Sequence, residues 1–388
     1  MGAGIGGLAA AVALQRVGAE VVVFEQASAL GEVGAGIQMT PNAVRVLDRL
    51  GLGAGLHAVG VQPARTDSRR WRDFSVIGSQ PLDEAFVARF GHPWYTVHRA
   101  ELHALLVGSL DGGVVQTDRR LTGLDDTGPA VRLTFADGRT ATADAVLGAD
   151  GIHSQVQAEL FGPSRPHFTG NTAFRGLVPA DEVADLGIPV TTNGVLGPDR
   201  HFVCYYVASG QLLNWVAIAP SKSWTVESWT APASVDDALA EYDGWAPVVR
   251  RLISMAGHAG RTVYRWALND RDPLPEWGRG RVTLLGDAAH PMLPFLAQGA
   301  AQAIEDAAVL ARCVERVADL PTALRTYESL RRERTARVQL GARRNSVVFH
   351  LPDGPEQAAR DARLAEPADI HPNAWIFGYD ADEATAHL

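Results

Sequence analysis

Gly2-Ala3-Gly4-Ile5-Gly6-Gly7 has the spacing of a backbone cradle for phosphate, and Glu25 stands where an acid can close on a ribose. Gly2 permits a tight turn, Gly4 lets a pyrophosphate approach the backbone, and Gly7 lets the next helix pack close to a sheet. The helix N-terminus adds unpaired N–H groups and a partial positive charge. Glu25 ends an apolar run and can accept hydrogen bonds from ribose hydroxyls. Further along, Asp150 and Asp287 each end another apolar run, in Gly148-Ala149-Asp150-Gly151 and Gly286-Asp287-Ala288-Ala289-His290-Pro291. His201 and Tyr205 stand four apart in a strand-like segment, and strand alternation puts both on one face.

These groups need elements to hold them. Residues 2–25 read as a glycine turn, a helix and a strand. Gly34-Ala35-Gly36-Ile37-Gln38 leads into a helix begun by Thr40 or Pro41 and ended near Gly51. Residues 71–90 alternate loosely and read as strands with turns. Residues 98–106 have a helical period, and residues 131–135 enter a hairpin at Asp137-Gly138. Residues 145–150 and 281–285 are buried strands.

From Phe168 to about Arg261 short strands dominate, at 173–178, 202–207 and 212–218. Aromatic residues gather there at Tyr205, Tyr206, Trp215, Trp224 and Trp229. This texture predicts a second, sheet-containing lobe inserted in the first. Long helices follow, from near Gln298 to Val317 and from about Thr322 to Asn345. The tail after Leu351 has no strong period and reads as a loose extension or a dimer contact.

The bulk figures narrow the function. A chain of 388 residues is long for one core. A net charge of −9 argues against nucleic acid and anionic membranes as partners. Cys204 and Cys313 have no metal spacing and form no disulfide framework, which fits a reducing cytoplasm and a site without metal. The apolar stretch 8–14 has no basic segment before it and reads as a cofactor helix, not a signal peptide. No apolar run is long enough to span a bilayer.

The three spaced motifs together resemble the single-component FAD-dependent aromatic hydroxylases (group A flavoprotein monooxygenases). The third motif runs from Gly286 through Pro294 and Gln298-Gly299 to Glu305-Asp306-Ala307-Ala308. The likeness extends from Gly2 to about Arg344 and is similar to salicylate, 3-hydroxybenzoate and 6-hydroxynicotinate monooxygenases. The fold it implies is α/β: a Rossmann-like FAD-binding domain with an inserted mixed-sheet substrate domain and C-terminal helices. Residues 1–70, 96–167 and 262–345 would form the FAD-binding domain, residues 71–95 and 168–261 the substrate domain, and 346–388 a C-terminal extension. Such a fingerprint ordinarily follows a first buried strand, whereas this chain begins at Met1-Gly2. A late start, a truncated form, or another segment in that slot would each account for this, and the glycine turn would otherwise want an anchor.

The resemblance also implies the chemistry. FAD is the cofactor and NADH or NADPH the co-substrate. A flavin C4a-hydroperoxide transfers oxygen to an electron-rich ring carbon of a small aromatic substrate. Gly2, Gly4, Gly7, Glu25, Gly36, Arg99, Asp150, Gly286, Asp287, Pro291, Gly299 and Ala300 would hold the FAD. Asp287 would bond ribityl hydroxyls, and the helix after Gln298 would face the pyrimidine edge of the ring. Pro291 would lie near the ring's reactive edge, while His290 would be structural. Gln157 stands where the family pattern often has Arg, a departure that bears on how NAD(P)H is held.

Activating a phenol calls for a base near neutrality. The catalytic candidates are His201, Tyr205 and Gln298. The expected activity is hydroxylation of a small phenolic acid of the salicylate or hydroxybenzoate type by a cytoplasmic monomer or homodimer. Open beside it are a 6-hydroxynicotinate-type pyridine hydroxylase, a natural-product epoxidase or tailoring monooxygenase, and an inactive truncated flavin-binding protein. Phe295, where some hydroxynicotinate hydroxylases carry His, argues against the pyridine.

Overall fold

The computed structural model describes residues 1–31, 35–126, 128–222, 231–366 and 371–388. Gly34, Trp224 and Trp229, named above, lie outside them. The chain forms two lobes around separate apolar cores.

In the cofactor lobe the glycine run enters the helix Ile5–Arg16, whose buried residues are mostly alanine and leucine. Small side chains let this helix lie close to the helix Gly299–Arg316. A Cβ on Gly6 would come within 3.0 Å of the Ala303 Cβ. The strand Val23–Phe24 pairs in parallel with Val115–Gln116, and Val146–Gly148 pairs in parallel with Val282–Leu284. The first residues of the chain bridge these two pieces. Gly2 N donates to Phe24 O at 2.8 Å and Ala149 N donates to Met1 O at 2.8 Å. The Met1 ammonium donates to Leu147 O at 2.7 Å. The glycine turn is therefore anchored on both sides by backbone hydrogen bonds.

The second lobe is an eight-stranded sheet. Its order is Pro232–Ala233, Val263–Asp270, His167–Pro179, Leu212–Pro220, Arg200–Val207, Thr192–Gly197, Arg65–Arg70, Val76–Pro81. Only Thr192–Gly197 and Arg65–Arg70 run parallel. Residues 65–70 and 263–270, both grouped above with the cofactor half, thus sit in this sheet.

The helices Val235–Glu241 and Pro247–Met255, which sequence texture did not reveal, cover one sheet face. They pack Tyr242, Val249 and Leu252 on Phe174, Phe202 and Trp215. The other face turns to the cofactor lobe, where Ala173, Ile218 and Trp266 meet Leu293, Phe295 and Ala342.

Two expectations need correction. Residues 71–90 are not all strand, because Glu84–Phe90 is a helix. Asp83 caps it by accepting from Phe86 N at 3.1 Å, and Gly91 ends it at φ 79°. The tail is not a loose extension. Ile376 and Phe377 are buried among Phe86, Phe90 and Trp94, and Asp380 pairs with Arg45 and Arg49. It holds the helix Pro355–Ala365 and two four-residue helices, Ala374–Phe377 and Ala381–Ala384, the last two too short to show a period. Among the described residues no helix is long and apolar enough to cross a membrane.

Candidate functional site

The glycine turn is built by sterics. Gly2 has φ +96°, and a Cβ there would lie 2.4 Å from the Ala149 carbonyl oxygen. A Cβ on Gly7 would meet the Gly2 carbonyl oxygen at 2.0 Å. Gly4 differs, since a Cβ there would meet nothing within 4 Å. The space over Gly4 is open, as the approach of a pyrophosphate requires. Glu25 fastens the turn. Its Oε2 accepts from Ala3 N and its Oε1 from Ala27 N, each at 2.8 Å. A carboxylate has about four lone-pair positions, so both oxygens can still accept from a ribose.

Gly4→Val separates fold from cofactor. The backbone at Gly4, φ −74° and ψ 177°, suits any residue. The variant should keep its thermal midpoint yet bind FAD weaker by on the order of 10²-fold, about 3 kcal/mol. Flavin fluorescence titration beside a melting curve checks both.

Asp287 follows the strand Val282–Leu284 with its side chain exposed. The protein around it desolvates the carboxyl and raises it above its usual range, with His290 and Arg99 pulling it back. Burial lowers the Arg99 guanidinium, and Asp287 opposes this. Gly299 opens the long helix beside them, its missing Cβ 4.0 Å from Asp287 Oδ1. Two helix N-termini, at Ile5 and Gly299, thus belong to the lobe that presents Asp287 and the open space over Gly4. These residues suit a dinucleotide carrying a polyhydroxyl chain, as FAD does.

Asp150 is occupied in capping. Its Oδ1 accepts from Ser154 Oγ at 2.5 Å and its Oδ2 from Gln155 N at 2.8 Å, holding the helix Gln155–Phe161. Gln157 accepts from Arg271 Nη1 at 2.8 Å, so an arginine from another segment supports this loop. Pro291 is buried, its carbonyl accepting from Gln339 Nε2 at 2.8 Å.

Behind the flavin motif lies a buried polar network. Asp306 Oδ2 accepts from Gly286 N at 3.1 Å and lies 2.6 Å from His290 Nε2. Arg331 donates to Asp306 Oδ1 at 2.7 Å and to Glu305 Oε2 at 2.6 Å. Burial alone would raise the Asp306 carboxyl, but His290 and Arg331 overrule it and hold it at about 2. Gln298 belongs to this network. It donates to Thr40 Oγ1 at 2.9 Å and accepts from Asn42 at 3.1 Å and Gln302 at 3.2 Å. It is fully buried, so these contacts tie it to the scaffold rather than present it to a substrate.

The sheet face toward the cofactor lobe carries the remaining candidates. His201 stands opposite Ile218 and Tyr205 opposite Asn214, so both point to that face. Gly36 N donates to Asn214 Oδ1 at 2.7 Å, and a Cβ on Gly36 would come within 2.6 Å of Tyr205 Cε2. The strand Gly36–Met39 therefore lies directly over Tyr205 because residue 36 is glycine. Burial raises the Tyr205 hydroxyl's pKa against the opposing pull of Arg175 and a hydrogen bond from Gln38.

His201 is 3% exposed, with the Phe295 ring centroid 5.1 Å away and that of Phe349 5.5 Å away. Its Nδ1 lies 2.7 Å from His350 Nε2. Burial, and then His350, hold its pKa well below the ordinary histidine value. Burial also brings His350 down to about 4. Sequence reasoning did not single out His350, Asn214 or Arg175. Arg175 alone had a signal: a charge alternating with buried positions in Ala173-Phe174-Arg175-Gly176.

A family model described as FAD binding domain matches residues 1–341. The chain belongs to this family. It is 42% identical over 383 residues to the 3-amino-4-hydroxybenzoate 2-monooxygenase PtmB3 of Streptomyces platensis, covering 98% of this chain and 95% of that one. It is 37% identical to the 6-hydroxynicotinate 3-monooxygenase of Bordetella bronchiseptica, covering 98% of this chain and 94% of the relative. The solved structure of Klebsiella pneumoniae HpxO with FAD and uric acid superposes with a TM-score of 0.85 at 29% identity, covering 99% and 95% of the two chains. This flavoprotein is thus an FAD-dependent monooxygenase of the aromatic-hydroxylating type.

Proposed function

We propose that this monooxygenase hydroxylates a small phenolic aromatic acid of the hydroxybenzoate type, using NADH or NADPH and dioxygen. The observation that carries the reading is the buried His201 beside Tyr205 on the sheet face turned to the cofactor lobe. Its lowered pKa keeps the imidazole neutral at pH 7 with a lone pair free, and burial makes it a weaker base than an exposed histidine. With Nδ1–H donated to His350, the lone pair is left on Nε2. That nitrogen takes the phenolic proton, which makes the ring electron-rich at the carbon to be oxidised. Tyr205 positions the substrate beside it. Phe295 and Phe349 exclude water around the base. Bound FAD supplies the activation of dioxygen and the electrons for it. Glu25, Asp287 and Arg99 hold and orient the cofactor.

The substrates of the two relatives, an aminohydroxybenzoate and a hydroxynicotinate, support this class. The test is oxidation of NADH and of NADPH by the FAD-loaded protein with 3-amino-4-hydroxybenzoate, salicylate, 3-hydroxybenzoate and 6-hydroxynicotinate. One hydroxybenzoate should stimulate oxidation well above the substrate-free rate and yield a hydroxylated product. Stimulation by 6-hydroxynicotinate alone would replace the phenol with a pyridine. No stimulation by any acid would move the reading to a larger substrate.

A further inference from the structure

Among the described residues Arg175 is a cation without a counter-ion. It stands in the strand His167–Pro179, opposite Val216 on one side and Tyr264 on the other. The next rows of the same face hold Ala173, Ile218 and His201, and Leu177, Asn214 and Tyr205. Arg175 therefore shares the face of His201 and Tyr205, two strands away. That is roughly 10 Å across the sheet, a span one substituted aromatic ring and the reach of the side chains can fill.

Its guanidinium lies over the Trp266 ring, 3.5 Å from the centroid, which fixes the plane of the fork. Its Nε is buried with no hydrogen-bond partner. Among the described residues no carboxylate forms an ion pair with it, and the charged or titratable groups acting on it are Tyr205 and Arg99. An arginine cannot shed its proton to escape burial. A buried, unpaired cation is costly, and a planar fork on a sheet face that receives the substrate would match a carboxylate with two parallel hydrogen bonds.

The geometry points to Arg175 as the residue that takes the carboxylate of the aromatic substrate, and so selects acids over neutral phenols. This rests on the reading that this sheet face is the substrate pocket. Trp266 and Arg175 would hold the acid end of the ring while His201 and Tyr205 meet the hydroxyl end. The FAD phosphates have their own cradle at Gly4, on the other lobe.

The test compares the stimulating hydroxybenzoate with its primary carboxamide, in FAD-loaded wild type, Arg175→Gln and Arg175→Lys. Binding is read from the change in flavin absorbance, and turnover from KM and kcat. Wild type should prefer the acid. Arg175→Gln should raise KM for the acid by on the order of 10²-fold and leave the carboxamide's nearly unchanged, removing the preference. Arg175→Lys, which keeps the charge and loses the fork, should recover part of it. An equal loss for acid and carboxamide, with weaker FAD binding, would overturn the assignment and give Arg175 to the flavin. Wild type that binds acid and carboxamide alike would also overturn it while leaving phenol hydroxylation standing. Wild type that holds FAD but answers to neither would remove the phenolic-acid reading, and this assignment with it.

Discussion

His201→Ala is expected to lower turnover of a phenolic acid at pH 7 by roughly 10²–10⁴-fold, the range a positioned acid–base group contributes. FAD content should not change, because His201 sits in the substrate sheet and not among the flavin-motif residues. Wild-type His201 has a pKa held well below the ordinary histidine value by burial and His350. It is already neutral at pH 7, so wild-type activity should not require a rise in pH to free the base. In the alanine variant the phenol must ionise by itself, near pKa 10 for a simple phenol such as tyrosine's. Activity should therefore climb as pH rises toward that value, partly recovering. A pH–rate profile of kcat for both proteins checks this. Equal turnover at pH 7 would remove His201 from the mechanism.

Arg331→Met should be among the most destabilising single changes in the chain. Arg331, Glu305 and Asp306 are all fully buried. Removing one partner of a buried ion pair costs about 3–5 kcal/mol, because the other charge stays behind without its counter-ion. Glu305 keeps Arg334, which donates to both of its oxygens at 2.8 Å, while among the described residues Asp306 keeps only His290 for charge. Differential scanning fluorimetry should show the midpoint falling by roughly 10 °C. The loss reaches the cofactor, since Asp306 also holds Gly286 N at the flavin motif. FAD should be released more readily from the variant that remains folded.

The pH sign follows from Asp306. Its folded pKa of about 2 lies below the unfolded carboxylate value, so its contribution is present above about pH 4 and is lost as pH falls toward 2. Arg331→Met should show a smaller loss over that acid window than wild type does. A midpoint within a degree or two of wild type at pH 7 would mean the network is not under the load its geometry implies.

Much of this molecule is legible in one dimension. The glycine turn, the helix Ile5–Arg16 and Glu25 are set by rules that act within a few residues. So are the strands Arg200–Val207 and Leu212–Pro220, and the placing of His201 and Tyr205 on one face, which needs only alternation. The helix Gly299–Arg316 starts one residue after Gln298, where its small residues predict. The tail was misread because its order comes from contacts with residues about 290 positions earlier, such as Phe377 on Phe86 and Phe90. Gln298 reads as a catalytic candidate because its neighbours Thr40 and Asn42, some 256 to 258 residues away in sequence, are invisible locally.

The sequence by itself determined most of the elements, the glycine turn and the family, because sterics at glycine and the periods of helix and strand are local. Only the tertiary structure decided which charges are paired. Asp150 became a helix cap, Gln298 a strut and His201 a partner of His350, while among the described residues Arg175 was left without an acid. The reason is physical. A buried polar group takes its character from whatever lies within about 3 Å of it, and in a folded chain those neighbours arrive from anywhere along its length.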